Sequence, residues 1–222
     1  MRSKRLTKAL FVDFDGTIVG ADSAQIALDH FGDPDWMVID EAFERSEVSF
    51  EESLRREFAT LKAPPETIIA DLRRVVALRP NFDRLVDYCR RRDLPITVVS
   101  GGLDFFIRNF LERDDWLAYI QIYAPTSTFI GNGYSVTFPR MLYSFSTNFK
   151  DDLVMQGKRN GTQVAFAGNG SGDFAAAKES DLVFAIKGSK LAELCREQRV
   201  EHEEIEDFNQ VIDALDRRFR EP

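Results

Sequence analysis

The sequence predicts an α/β fold: a doubly wound parallel sheet with an inserted helical cap and a small β-hairpin insertion. Three observations carry this. Short apolar runs at Ala9–Val12, Ile96–Val99, Gln163–Ala167 and Leu182–Ile186 end in Gly or polar residues, the pattern of strands buried on both faces. Helical patterns separate these runs, so strands alternate with helices as in βαβ units. One span, residues 22–78, breaks the alternation and is helical in pattern throughout.

Taken in order, the first strand stops at Asp13. Ser23–Phe31, Trp36–Arg45, Phe50–Leu61 and Pro65–Leu78 then read as four helices, punctuated by Gly32-Asp33-Pro34 and Pro64-Pro65. We expect residues 22–78 to be a helical cap, and residues 1–21 with 79–222 to form the core. Phe82–Arg92 sets Phe82, Leu85, Val86 and Cys89 at helical spacing, with Pro95 beyond its end. The second strand ends at Ser100, and Leu103–Leu111 reads as the next helix. Between Ile120 and Phe138, alternating segments flank Gly131-Asn132-Gly133, which makes a hairpin. Lys150 would begin a helix ending near Gly157. The third strand ends at Gly168, and Phe174–Lys178 and Leu191–Gln198 supply helices around the fourth.

Composition narrows the partners. There are 29 Lys+Arg against 37 Asp+Glu, a formal charge of −8, so no basic nucleic-acid footprint exists. A phosphate ligand would have to be held by local positive groups, backbone N–H groups and a metal, against the overall field. No apolar run reaches membrane-spanning length, which excludes a membrane partner of that kind. The start, MRSKRLTKAL, is basic without an apolar stretch before the first strand, so no signal peptide is expected and the cytoplasm is the expected compartment. Cys89 and Cys195 lack metal-ligand spacing and are expected as reduced thiols.

The chemistry gathers at strand ends, where open α/β sheets bind ligands. Asp13-Phe14-Asp15-Gly16-Thr17 closes the first strand. Two carboxylates two residues apart can face one site if the chain turns at once, which Gly16 permits. Such neighbours repel unless a cation or a shared proton intervenes, and Mg²⁺ is a hard cation suited to oxygen ligands. Ser100-Gly101-Gly102 closes the second strand and can cradle an anion with a hydroxyl and backbone N–H groups. Gly168-Asn169-Gly170-Ser171-Gly172-Asp173 closes the third, where Asn169 or Asp173 suits metal ligation. Lys150 precedes that strand, and its ammonium can reach a phosphate and neutralise the carboxylates.

The order Asp-x-Asp-Gly-Thr, Ser, Lys and Gly-rich acidic loop, each at its own strand, resembles the haloacid dehalogenase superfamily of phosphatases over nearly the whole chain. The helical span after the first motif is similar to the phosphoserine phosphatase branch. Val99–Phe106, Leu182–Ala185 and Leu191–Gln198 are similar to the methionine-salvage phosphatases that hydrolyse 2-hydroxy-3-keto-5-methylthiopentenyl-1-phosphate. The resemblance implies a phosphatase acting on a small phosphorylated metabolite through an aspartyl-phosphate. Asp13 would be the nucleophile and Asp15 the acid, then base. Ser100, Gly101 and Lys150 would hold the phosphoryl group. Asp13, Asp15 through its carbonyl, and Asn169 or Asp173 would hold Mg²⁺. A carboxylate nucleophile splits a hard displacement in two, and Asp15 supplies the proton an ester leaving group needs. The family usually has Asp where this chain has Asn169, which removes one negative charge from the metal site.

A phosphotransferase or mutase on the same fold would use the same residues, and Asn169 alone points to a catalytically impaired phosphate-binding protein. His30 and His202 lack ligand spacing, and Glu201-His202-Glu203-Glu204 reads as a solvated face. Phe105, Phe106, Trp116 and Tyr119 read as core, with Phe105 or Phe106 within reach of a substrate. Arg55 and Arg56 are expected at the surface, with a substrate anion as their other potential partner.

Overall fold

A computed structural model describes residues 7–113 and 115–219. The basic first six residues of the N-terminal stretch lie outside the described residues. Chain order begins with β1 (Thr7–Val12), then α1 (Ser23–Phe31), α2 (Trp36–Glu44), α3 (Phe50–Ala59), α4 (Pro65–Val75) and α5 (Phe82–Arg91). Next come β2 (Ile96–Val99), α6 (Asp104–Leu111), β3 (Gln121–Tyr123), β4 (Thr126–Phe129) and β5 (Tyr134–Thr137). The chain closes with α7 (Phe149–Arg159), β6 (Thr162–Gly168), α8 (Phe174–Glu179), β7 (Leu182–Ile186), α9 (Lys190–Glu197), β8 (Glu203–Ile205) and α10 (Phe208–Arg218). Among the described residues, no helix is long and apolar enough to cross a membrane.

Six parallel strands form the sheet in the order β3-β2-β1-β6-β7-β8. β1 is central, and its period-two alternation feeds both faces. Leu10 and Val12 join a core with the α5, α6 and α10 side chains Leu85, Ile107 and Leu215. Ala9 and Phe11 join a second core with Val154, Ala177 and Leu191 from α7, α8 and α9. Burial on both faces is why these strands are apolar throughout. Both cysteines are free and buried, inside α5 and α9.

Local chemistry sets the helix starts. Asp22, Ser49 and Ser189 accept backbone N–H bonds at the heads of α1, α3 and α9. Asn148 with Asp151, and Asp207 with Gln210, make reciprocal capping boxes on α7 and α10. α7 continues past Gly157, whose missing side chain lets the helix lie against Val164 of β6.

Between β1 and α5 the chain leaves the sheet and returns through a paired neck. Val19 bridges Leu78 antiparallel, Gly20 N–H donates to the Ala77 carbonyl (3.1 Å) and Arg79 N–H to that of Ile18 (2.8 Å). The Arg79 guanidinium also donates to the carbonyls of Thr17 (2.7 Å) and Gly16 (2.6 Å), tying the neck to the turn after β1.

Two stretches differ from expectation. Residues 121–123, expected within the hairpin region, add β3 to the main sheet; only 126–137 forms the hairpin. That hairpin leans on the helical segment, with the Tyr134 hydroxyl donating to the Ala63 carbonyl (2.9 Å). The acidic run is not simply a solvated face: Glu203 and Glu204 belong to edge strand β8, anchored by buried Ile205.

Candidate active site

The three central strands deliver the site. The Asp13 N–H donates to the Ala167 carbonyl (2.8 Å), prolonging the β1–β6 ladder one residue, and then the chain turns. Gly16 makes the turn at φ +67°, and a Cβ there would strike the Asn169 amide. Asp13 and Asn169 are thereby held side by side.

Lys150, at the start of α7, points its ammonium between two carboxylates: Nζ lies 2.8 Å from Asp13 Oδ1 and 2.6 Å from Asp173 Oδ1. All three side chains are almost fully buried. Burial works against the Lys150 charge, but Asp13 and Asp173 outweigh it and raise its pKa, so the lysine stays protonated. Asp13 is pushed up to about 7 by burial and the charge of Asp173, against the opposing pull of Lys150. The other Asp173 oxygen accepts the N–H groups of Asn169 (2.9 Å) and Gly170 (3.0 Å), so this carboxylate clamps its own loop.

Thr17 joins two further oxygens. Its Oγ1 lies 3.2 Å from Asp13 Oδ2 and 3.0 Å from Asn169 Oδ1. One hydroxyl proton cannot fully serve both acceptors. A carboxylate and an amide oxygen therefore converge with spare lone pairs, beside an excess of acidic groups. Among the described residues no three of His, Cys, Asp and Glu form a ready metal cage. Mg²⁺ does not need one, since it commonly takes one or two carboxylates and completes its shell with substrate phosphate and water. The residues present fit it.

Asp15 faces the other way. Its Oδ1 accepts the Ser23 N–H (2.7 Å) and a short hydrogen bond from the Ser23 hydroxyl at the head of α1. Burial, then the charge of Asp22, raise its pKa well above the ordinary carboxylate range. Ser100 is fully buried and its Oγ accepts the Gly102 N–H (3.0 Å), which leaves its own proton to donate.

A cleft of about 350 Å³ opens over these groups and is lined on its far side by the helical segment. The Phe50 ring, from α3, lies where Cβ atoms on Gly101 or Gly172 would collide with it. It stacks 6.0 Å from Phe149 and sits 5.6 Å from Lys150 Nζ. The Ser171 hydroxyl donates to Glu44 of α2 (2.6 Å), and the Phe149 N–H donates to Glu51 (3.0 Å).

Asp13, Asp15, Ser100, Gly101, Lys150, Asn169 and Asp173 thus all border one cleft. Phe106 is core, and Phe105 stacks on Tyr134 rather than lining the cleft. Arg55 and Arg56 pair with Glu52 at 2.7 and 2.6 Å, outside the cleft. His30 pairs with Asp71. Sequence reasoning missed Trp36, Asp40, Phe43, Phe50 and Glu57, which line the cleft from above. One signal was available: Glu57 falls on the stripe Phe50, Leu54, Phe58, Leu61, where a carboxylate is out of place in a purely structural helix.

Comparisons with known proteins give a family and a fold. A family model described as haloacid dehalogenase-like hydrolase matches residues 10–178. A protein of Geobacillus kaustophilus named 2-hydroxy-3-keto-5-methylthiopentenyl-1-phosphate phosphatase is 30% identical over 213 residues, covering 94% of this chain and 95% of its own. One of the same name from Brevibacillus brevis is 30% identical, covering 96% of each chain. A phosphoserine phosphatase solved with a phospho-aspartyl intermediate analogue shares the fold, at TM-score 0.72 and 19% identity over 95% of this chain and 99% of its own.

Proposed function

The chain belongs to the haloacid dehalogenase-like hydrolases, its relatives in Geobacillus kaustophilus and Brevibacillus brevis are named phosphatases, and from that premise we propose that it hydrolyses a small metabolite's phosphomonoester through an aspartyl-phosphate on Asp13. The single observation that carries this reading is the Lys150 ammonium bridging Asp13 and Asp173 at the floor of the cleft, 2.8 and 2.6 Å away. It holds a carboxylate in line for attack and leaves a cation where phosphoryl charge develops.

The Asp13 carboxylate attacks phosphorus while Asp15, kept protonated by burial, gives its proton to the departing ester oxygen. The products are the free alcohol and phosphorylated Asp13. Asp15, now ionised, takes a proton from a water that attacks the same phosphorus, and phosphate leaves with Asp13 restored. The Ser100 hydroxyl, the Gly101 N–H and Lys150 hold the phosphoryl oxygens. Residues 22–78 act as the cap, and Phe50 keeps bulk water from the intermediate. Mg²⁺ would be held by Asp13, the Asp15 carbonyl and Asn169, and would supply counter-charge to the nucleophile and the phosphoryl group. Asp173 is assigned to loop and lysine positioning, and would add negative charge near the metal.

The test is phosphate release from a phosphometabolite panel that includes the substrate in the bacterial relatives' name, with Mg²⁺ and with excess EDTA. Release that requires Mg²⁺ and leaves an acid-stable, hydroxylamine-sensitive phosphoenzyme is expected. Full activity in EDTA would remove the metal from the reading, and no release from any ester would remove the reading itself.

A further inference from the structure

The cleft wall opposite the catalytic carboxylates is anionic and aromatic. Asp40 and Glu57 line it together with Trp36, Phe43 and Phe50. Glu57 is only 7% exposed, and the Ser53 side chain beside its carboxylate donates its hydroxyl proton to the Phe50 carbonyl (2.9 Å). Among the described residues, no Lys or Arg forms an ion pair with Glu57 or Asp40. The cations that line the cleft are on the core side and already engaged, Lys150 by Asp13 and Asp173 and Lys190 by Glu193.

A carboxylate nine-tenths buried beside other acids and without a cation is unfavourable unless something completes it. Here burial, then the charges of Asp40 and Asp22, push Glu57 up to about 8, so near neutral pH the carboxyl holds a proton until a cation beside it draws out the charged form. A ligand carrying its own positive charge would supply the missing counter-ion. Phe43 and Phe50, with ring centroids 5.6 Å apart, and Trp36 add the electron-rich faces on which ammonium groups rest. A ligand carrying a carboxylate at that end would meet like charge.

We propose that this wall selects a phosphomonoester whose alcohol is cationic, an amino- or quaternary-ammonium-alcohol phosphate, with Glu57 and Asp40 as counter-charge and Trp36, Phe43 and Phe50 as its aromatic bed. The proposal rests on reading the site as a phosphatase. It separates this chain from its relatives' named substrate, whose hydroxy, keto and methylthio groups carry no positive charge.

The experiment compares kcat/KM for choline phosphate with that for 3,3-dimethylbutyl phosphate, its neutral isostere, and for ethanolamine phosphate with that for O-phosphoserine, which differs by one carboxylate. The generic ester p-nitrophenyl phosphate is run alongside. The wild-type protein is expected to favour the cationic ester of the first pair by roughly tenfold or more, the worth of a charge-assisted contact. Ethanolamine phosphate should exceed phosphoserine in the same direction. Glu57→Gln and Asp40→Asn should each pull the first ratio toward one. A wild-type ratio near one, or a ratio that neither variant changes, overturns the proposal, and the wild-type comparison decides it even if a variant fails to fold. No phosphate from any of the five esters overturns the phosphatase reading instead.

Discussion

Lys150 Nζ meets Asp13 Oδ1 at 2.8 Å across 137 positions of sequence, with both side chains buried. Lys150→Met should therefore act twice. Losing a preorganised donor to the phosphoryl group is expected to cost ~10²–10³-fold in kcat. Leaving Asp13 and Asp173 buried together without their cation should also lower stability, by ~3–5 kcal/mol if both stay ionised and less if one takes up a proton. Single-turnover rates and denaturant titrations separate the two effects. Normal turnover in a folded Lys150→Met would remove the lysine from the site.

Asp13 and Asp15 sit two residues apart yet face different partners, Lys150 and Ser23. Asp13→Asn should abolish both turnover and phosphoenzyme. Asp15→Asn should retain a nucleophile but lack the proton donor, slowing formation and hydrolysis of the intermediate by ~10²–10⁴-fold. Ser23→Ala should fall between wild type and Asp15→Asn, because the carboxyl loses its side-chain partner and not its chemistry. Trapping of the phosphoenzyme by rapid quench reads all three, and equal rates in Asp15→Asn and wild type would end the acid–base assignment.

Glu57 gives a pH signature in stability. Its folded-state pKa of about 8 lies above its ordinary value of 4.5. The folded state thus holds this proton more tightly than the unfolded chain does. That contribution is complete below about 4.5, shrinks as pH rises, and is gone above about 8. Replacing the group by neutral Gln removes this slope, so Glu57→Gln should gain on wild type as pH rises from 5 to 8, at most ~1.4 kcal/mol per pH unit. Chemical denaturation of both proteins at several pH values provides the difference. A gap that stays constant would mean Glu57 titrates as an exposed carboxylate.

The sheet was legible because β1, β2, β6 and β7 are buried on both faces and so are apolar in unbroken runs. β3 and β8 were not, since short edge strands such as Gln121–Tyr123 and Glu203–Ile205 carry polar residues. The strand-end groups could be found because their chemistry is local: a turn after a carboxylate, glycines after a hydroxyl. The upper wall of the cleft could not be assembled in the same way. Asp40, Phe50 and Glu57 converge through the packing of α2 on α3 and of α3 on hairpin strand β5, and no local pattern encodes that docking. Thr17 is intermediate: its place in the first motif was plain, but its position between Asp13 and Asn169 depends on β1 and β6 being neighbours.

Asn169 provides the last test. Its Oδ1 converges with Asp13 Oδ2 on the Thr17 hydroxyl, and Gly16 lies against its amide. As a metal ligand it offers a neutral dipole, whereas hard cations favour charged oxygens. Asn169→Asp keeps the shape and adds a charge, so the Mg²⁺ concentration for half-maximal activity should fall. In the metal-free protein the same change sets a further carboxylate beside Asp13 and should lower stability until Mg²⁺ is added. Thermal unfolding with and without Mg²⁺ therefore reads the site independently of turnover: the variant should lose stability in EDTA and show a larger Mg²⁺-induced rise than wild type. Asp173→Asn should behave differently. It weakens the grip on Lys150 and the loop N–H groups, so it should depress kcat while shifting the Mg²⁺ midpoint little. If Asn169→Asp leaves the metal response unchanged and Asp173→Asn shifts it strongly, the direct ligand is Asp173 and the roles of the two loop residues are exchanged.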